Sequence, residues 1–239
     1  MAKSVLITGA NKSIGYETAR RLGALGYRVW LGSRDAARGE AAAETLRAGG
    51  ADVRVIVIDV AGDASVRAAA ERVRSEDGKL DVLINNAGIA GDRMPPSEQP
   101  VESVKTVYET NVYGPIRVTQ AFLPLLKAAG EANIVMVSSG LGSLTKHSGP
   151  ADPFNGLNIL GYDSSKTALN AITVAFAKEF RPIGIRVNAC DPGYTKTDFN
   201  HHSGYRTVEQ AAEIIVKLAI LDAAGPTGGY FDDNGVIPW

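Results

Sequence analysis

Residues 4–17, SVLITGANKSIGYE, set a short apolar run against a glycine turn and the start of a helix. The run SVLIT, ended by Gly9, reads as a buried strand. Residues 14–25 then place Ile14, Ala19, Leu22 and Leu25 at helical spacing, and Gly26 is a helix stop. The same alternation continues down the chain. YRVWLGS, VRVIVID, LDVLINNAG, NIVMVSS, GIRVNACDPG and GGYFDD read as strands. Between them lie helices over 35–50, with Asp35 as cap, over 63–78, over 101–130 with an interruption near Gly114-Pro115, over 162–181 and over 207–222. Strands alternating with helices call for an α/β fold, a doubly wound parallel sheet with helices on both faces. No repeat, low-complexity tract or linker breaks the pattern, so residues 1–239 read as one domain. Segments 90–101 and 140–161 are rich in Gly, Pro, Ser and Asn and read as loops near the strand C-termini, where such folds bind ligands.

A chain with 45% hydrophobic residues can bury a sizeable core. Its net charge of −1, with no basic block, argues against a nucleic-acid or anionic-membrane partner. The single cysteine, Cys190, allows no internal disulfide and no cysteine-based metal site. His147, His201 and His202 lack acid or cysteine partners nearby in sequence, so no metal is expected. The N-terminus lacks the long apolar stretch of a signal peptide, and no run approaches the ~20 residues of a membrane span. The expectation is a cytoplasmic protein.

The opening turn departs from the dinucleotide fingerprint G-x-G-x-x-G, because Ser13 lies between Gly9 and Gly15. A glycine turn leading into a helix presents backbone N–H groups to a pyrophosphate. Gly9 lets the chain turn away from the strand, and Gly15 allows close approach of backbone or ligand. Ser13 could hydrogen-bond a phosphate or cap the helix. Such turns also occur without ligands.

The spacing T-G-x(3)-S-x-G resembles the T-G-x(3)-G-x-G turn of the short-chain dehydrogenase/reductase family. The resemblance continues in order with NNAG at 85–88, Asn111, SSGLG at 138–142, Tyr162-x(3)-Lys166 and PGYTKT at 192–197, and covers nearly the whole chain. It implies a single Rossmann-type domain with a seven-stranded sheet and a nicotinamide cofactor. The turn residues Gly9, Asn11, Lys12, Ser13, Ile14 and Gly15 would then hold the cofactor. Asn86, Ala87 and Gly88 would lie beside it, and Asp59 and Val60 would flank its adenine. Ser13, at the family's middle glycine, is expected to be a working variant.

NAD-binding turns carry an acid after the second strand, which would repel a 2′-phosphate. Here that strand ends in LGSRD, with Ser33 where the acid would lie, Arg34 after it and Lys12 in the glycine turn. Either cation could be an ordinary solvated charge; together they favour NADPH/NADP+. The resemblance adds that this pair is typical of NADPH-preferring reductases. Asp35 is acidic and close, but reads as a helix cap.

Tyr162 and Lys166 are i and i+4 and share one helix face. A nearby ammonium is expected to lower the phenol from its ordinary value of about 10. Tyr162 can then donate a proton to a carbonyl oxygen as hydride reaches its carbon. By resemblance Lys166 also holds the nicotinamide ribose, Ser139 rather than Ser138 bonds the substrate oxygen, and Asn111 holds a water linked to Lys166. An isolated tyrosine could be simple packing, and Asn111 could merely adjust a kink. Pro192 and Gly193 redirect the chain, while Thr195 and Thr197 could meet the nicotinamide carboxamide or cap a turn. Asp191 departs from the apolar or small residues usual before that Pro-Gly.

The stretch between Ser139 and Tyr162 is longer than in many members. Carbonyl reductases of the family carry a longer insertion still, share the Asn11-Lys12 pair, and resemble this chain in the VIPW ending. With a short 193–207 segment, the loops 90–101 and 140–161 would form a permissive substrate site, with Phe154, Tyr194 and Phe199 as candidate apolar walls. Family oligomers pack the helix carrying Tyr162, which the insertion could block, so both monomer and homo-oligomer stay open. The reading is an NADPH-dependent oxidoreductase reducing an aldehyde, ketone or quinone to an alcohol. The alternatives are NADP-dependent alcohol oxidation and a non-catalytic NADP(H) sensor, although sensors on this fold typically lose the tyrosine or lysine.

Overall fold

The computed structural model describes residues 2–148, 153–154 and 156–239. Strands β1 (Ser4–Ile7), β2 (Arg28–Ser33), β3 (Val53–Val57), β4 (Val82–Asn85), β5 (Ala132–Val137), β6 (Ile185–Cys190) and β7 (Tyr230–Asp232) pair in parallel. The order across the sheet is β3-β2-β1-β4-β5-β6-β7, and an eighth strand, β8 (Gly235–Val236), closes the β7 edge. β8 runs antiparallel, so the sheet has one strand more than the seven expected. Its two residues show no periodicity that sequence reading could use. The turn before it is fixed by Asn234 N–H donating to Asp232 at 2.8 Å.

The helices are α1 (Ser13–Ala24), α2 (Ala36–Ala48), α3 (Asp63–Asp77), α4 (Val101–Tyr108), α5 (Gly114–Ala128), α6 (Leu144–His147), α7 (Leu160–Phe180) and α8 (Val208–Ala219). Alternation along the strands divides the core in two. Val5, Ile7, Val29 and Leu31 face α1, α2 and α8, where Leu22, Leu46 and Ile215 meet them. Leu6 and Trp30 face the other side, against Val73, Phe122, Leu169 and Phe180 of α3, α5 and α7. Parallel strands buried on both faces explain why the strand sequences are nearly continuous apolar runs.

Local chemistry sets the helix boundaries. Asp35 caps α2 by accepting from Arg38 N–H at 2.9 Å, and Thr207 with Gln210 forms a capping box on α8. The start of α1 has no side-chain cap; its N-cap is Lys12. The interruption expected near Gly114-Pro115 lies just before it, as a π-helical turn over Glu109–Tyr113. Pro115 has no N–H to continue the α-helical ladder, and a wide turn absorbs the defect. Asn111 sits inside that turn.

Candidate active site

The strand order reverses between β1 and β4, which opens a crevice at their C-terminal ends. The glycine turn fills one side of it. Gly9 has φ +64°, and a Cβ on it would approach Ala87 Cα to 3.1 Å. A Cβ on Gly15 would fall 2.6 Å from Asn86 Nδ2 and 2.7 Å from the Gly9 carbonyl oxygen, so only glycine fits. Asn86 Nδ2 donates to the carbonyls of Thr8 (2.9 Å) and Gly9 (3.2 Å), and the Thr8 hydroxyl accepts from the amides of Asn86 and Ala87, both at 3.0 Å. The NNAG segment is thereby tied to the turn. The amides that open α1 have no intrahelical acceptor and no side-chain cap, which suits an anion at that helix start.

Ser13 has φ +54°, in the left-handed region where a glycine is free and other residues are strained by about 1 kcal/mol. It does not cap α1. We expect Ser13→Gly to leave stability unchanged or raise it by up to about 1 kcal/mol, the relief of strain being offset by the entropy of glycine. A thermal melt that drops by several degrees would show instead that the Ser13 side chain holds the turn together.

The first turns of α7 carry Tyr162 and Lys166. Lys166 is buried, donates to the Val137 carbonyl at 2.8 Å, and stands 5.5 Å from the centre of the Tyr162 ring. Burial pulls its ammonium down to about 8, opposed by Cys190 and Asp191. Burial pushes the Tyr162 phenol above its ordinary range, and a hydrogen bond with Ser139 opposes this. Burial, and not the lysine-driven lowering expected from the sequence, sets this phenol. Lys166 points its charge at a carbonyl and the ring face, while the phenol loses water.

Ser138 turns away from this cluster: its hydroxyl donates to Asn170 Oδ1 at 2.6 Å in the core. Ser139 Oγ accepts from the Leu141 amide at 3.3 Å, and its carbonyl accepts from the Tyr230 hydroxyl. The loop lies directly on α7, because a Cβ on Gly142 would fall 2.8 Å from the Lys166 carbonyl carbon. Thr167 and Asn170 both donate to the Gly142 carbonyl at 3.1 Å. Asn111 accepts from Ile89 N–H and donates to Ile89 C=O, each at 2.9 Å, and also donates to Ser165 at 3.0 Å. It pins the chain after β4, where Gly88 lies between Asn111 and Lys166.

At the other end of the crevice Arg34 is exposed, with no ion pair among the described residues. Ser33 is buried and donates to the Asp35 carbonyl at 2.7 Å. Lys12 meets Asp198 at 2.8 Å, and His202 meets the same carboxylate at 2.9 Å. Asp59 accepts from Ala61 N–H at 3.1 Å, and Val60 is buried against Gly114. Among the described residues, no group of three or more His, Cys, Asp or Glu side chains is placed to hold a metal.

Phe199 packs 5.5 Å from Tyr162, and Phe154 stacks on His147 at 4.9 Å. Thr195 Oγ1 donates to the Gly193 carbonyl at 3.0 Å, and Thr197 forms a capping box with Asn200, so both hydroxyls serve local turns. Gly193 has φ +74° and packs against Arg206, and Pro192 is buried. Residues 149–152 and 155 of the expected 140–161 loop lie outside the described residues. A contribution that sequence reading missed comes from the end of the sequence. Pro238 C=O accepts from Ser143 Oγ at 2.6 Å, Trp239 C=O accepts from Thr145 N–H at 3.0 Å, and the Trp239 ring stacks on Tyr230 at 5.4 Å.

A glycine cradle at a strand-order reversal, with a serine, tyrosine and lysine gathered beside it, defines a nucleotide-dependent class of enzyme fold. The short chain dehydrogenase family matches residues 3–206, and the chain belongs to it. It is 37% identical to the short-chain dehydrogenase anuI of Penicillium roqueforti, over 90% of this chain and 87% of that protein. It is 32% identical to carbonyl reductase [NADPH] 3 of Rattus norvegicus, over 100% and 99%. The solved structure of NADPH-bound carbonyl reductase from chicken fatty liver superposes with a TM-score of 0.88 at 29% identity, covering 100% of this chain and 99% of that one. A 3-ketoacyl-(acyl-carrier-protein) reductase from Brucella melitensis complexed with NADH gives 0.84 at 28% identity, covering 97% and 96%. No helix among the described residues is long and apolar enough to cross a membrane.

Proposed function

We propose that this chain reduces a small-molecule aldehyde, ketone or quinone to an alcohol with NADPH. The observation that carries the reading is the gathering of Ser139, Tyr162 and Lys166 at the crevice beside the glycine cradle. Gly9, Asn11, Lys12, Ser13, Ile14 and Gly15 would hold the pyrophosphate and adjoining ribose, with Arg34 and Lys12 toward a 2′-phosphate. Asp59 and Val60 would flank the adenine. Asn86, Ala87 and Gly88 would line the centre, and Pro192, Gly193, Thr195 and Thr197 the nicotinamide. The bound cofactor supplies the hydride.

The chain's own residues do the rest. Ser139 donates a hydrogen bond to the substrate carbonyl oxygen and polarises it. Tyr162 passes its proton to that oxygen as the alcohol forms. Burial keeps the phenol protonated at neutral pH, so it has a proton to give. Lys166 binds the nicotinamide ribose and carries positive charge beside the tyrosine ring. Asn111 holds the backbone at Ile89 and so fixes the floor next to Lys166. The substrate space would be walled by 90–101, the described part of 140–161 and 193–207, with Phe199 against the tyrosine.

The direct test is NADPH oxidation, followed optically, against aldehydes, diketones, quinones and ketoesters, with NADH alongside. Turnover of several carbonyls with NADPH is expected; binding without any turnover would favour a sensor. Nucleotide choice has its own test. Ser33 is engaged internally and Arg34 is open to solvent, so Arg34→Asp is expected to weaken NADPH by about 10–100-fold, with a much smaller change for NADH. Equal loss for both, in a fluorescence titration, would remove Arg34 as the phosphate contact.

A further inference from the structure

Asp191 has no part in the reaction outlined above, yet it lies between the loop that follows Ser139 and the loop that follows Pro192. It follows Cys190, whose sheet partner is Val137, so it emerges where the loops after β5 and β6 run side by side. Its amide donates to the Phe231 carbonyl of β7 at 2.8 Å. Its Oδ1 accepts from the Gly193 amide at 2.9 Å. Its Oδ2 lies so close to Gly140 that a Cβ there would fall 2.7 Å away, and the same Cβ would meet Phe154 at 2.8 Å. One carboxylate thus touches the residue after Ser139 and the residue after Pro192.

The charged and titratable groups facing it come from every neighbouring element. α7 contributes Tyr162 and Lys166, β7 contributes Tyr230 and Asp232, α6 contributes Lys146, and β6 contributes Cys190. Burial raises the Asp191 carboxyl above its usual range; the amides of Gly193 and Gly140 and the Lys146 ammonium act against this, while Asp232 adds to it. The two amides and the ammonium favour the anion against burial, and an anion here would act on both the tyrosine and the lysine.

We propose that Asp191 is a positioning residue, which straps the Ser139 loop to the Pro192–Gly193 loop and places a negative charge on the field felt by Tyr162 and Lys166. This rests on the reading of Tyr162 as proton donor. In reduction, kcat falls as pH rises through about 8, where Lys166 loses its proton, before the buried phenol ionises. A nearby anion holds the ammonium, so removing the anion moves that fall to lower pH. The same change makes the Tyr162 proton easier to lose and acts in the same direction.

The experiment is kcat against pH for NADPH-dependent carbonyl reduction by the wild type, Asp191→Asn, Asp191→Ser and Asp191→Glu, with NADPH fluorescence to confirm that each variant binds nucleotide. The Asn and Ser variants are expected to lose about tenfold in kcat and to shift the alkaline limb down by about half a pH unit or more, with Glu returning it toward the wild type. Ser keeps an oxygen for the Gly193 amide, so it carries the test if Asn fails to fold. A limb that stays in place in both uncharged variants overturns the inference, whether kcat falls or not. Tyr162→Phe with turnover within about tenfold of the wild type overturns the proton-donor reading instead.

Discussion

Tyr162→Phe is expected to cut kcat for carbonyl reduction by about 10²–10⁴-fold while NADPH affinity changes little. The substitution removes one oxygen and leaves the ring. The ring's packing with Phe199 at 5.5 Å and its contact with the Lys166 ammonium at 5.5 Å need no hydroxyl. What disappears is the bond to Ser139 and the proton that a developing alkoxide requires. Ser139 alone can polarise the carbonyl, but an uncharged serine hydroxyl is a far weaker proton source than the phenol. The expected kinetic pattern is a loss in kcat and kcat/KM together, which marks an interaction made in the transition state. Turnover within about tenfold of the wild type would dismiss Tyr162 as the donor. Wild-type protein that binds NADPH but turns over nothing, with the variant binding equally well, would mark a sensor.

The frame of this molecule is legible in the chain because it is local. Runs such as VLI in β1 and IVMV in β5 are apolar along their whole length, as strands buried on both faces require. Asp35 stands where a cap is needed, and the structure uses it there. The departure at Ser13 is visible in sequence, but its physical meaning, a left-handed backbone occupied by a side chain, is not. The same holds for Gly142, whose lack of a side chain lets the serine loop lie on α7. Contacts between distant segments leave no periodic trace. Lys12 reads as a free cation, yet it meets Asp198 from the far end of the chain. Pro238 and Trp239 read only as part of a resembling VIPW ending, yet they support the segment after Ser139. The field at Tyr162 is hidden from the sequence for a related reason. Spacing places Lys166 on the same helix face, but only the fold tells how much water the phenol loses and where the ammonium points.

Lys166→Met is expected to lower kcat by at least about 10²-fold and, at neutral pH, to leave the fold as stable as the wild type or up to about 2 kcal/mol more stable. The activity loss follows from removing the cation beside Tyr162 and the donor to the nicotinamide ribose. The stability gain follows from burial. Lys166 is only 4% exposed, and its ammonium is pulled from its ordinary value of 10.5 to about 8 because water is lost. Holding the charge there costs up to about 3 kcal/mol at neutral pH, by the linkage between a shifted pKa and stability. Methionine fills similar space without charge. It also orphans the Val137 carbonyl, which takes back about 1–3 kcal/mol. The sign of the pH dependence separates the two terms. Between about 8 and about 10.5 the unfolded chain binds the Lys166 proton and the folded protein does not, so wild-type stability gains with rising pH. The advantage of Met is therefore greatest below about pH 8 and shrinks as pH climbs toward 10.5, where the lost Val137 bond remains as the whole difference. Urea unfolding of both proteins at about pH 7 and about pH 9.5 reads this directly. A variant that is several kcal/mol less stable at both values, with a gap that does not change, would mean that the lysine's bonds outweigh its desolvation. In that case Lys166 would hold the site together as much as it serves the reaction.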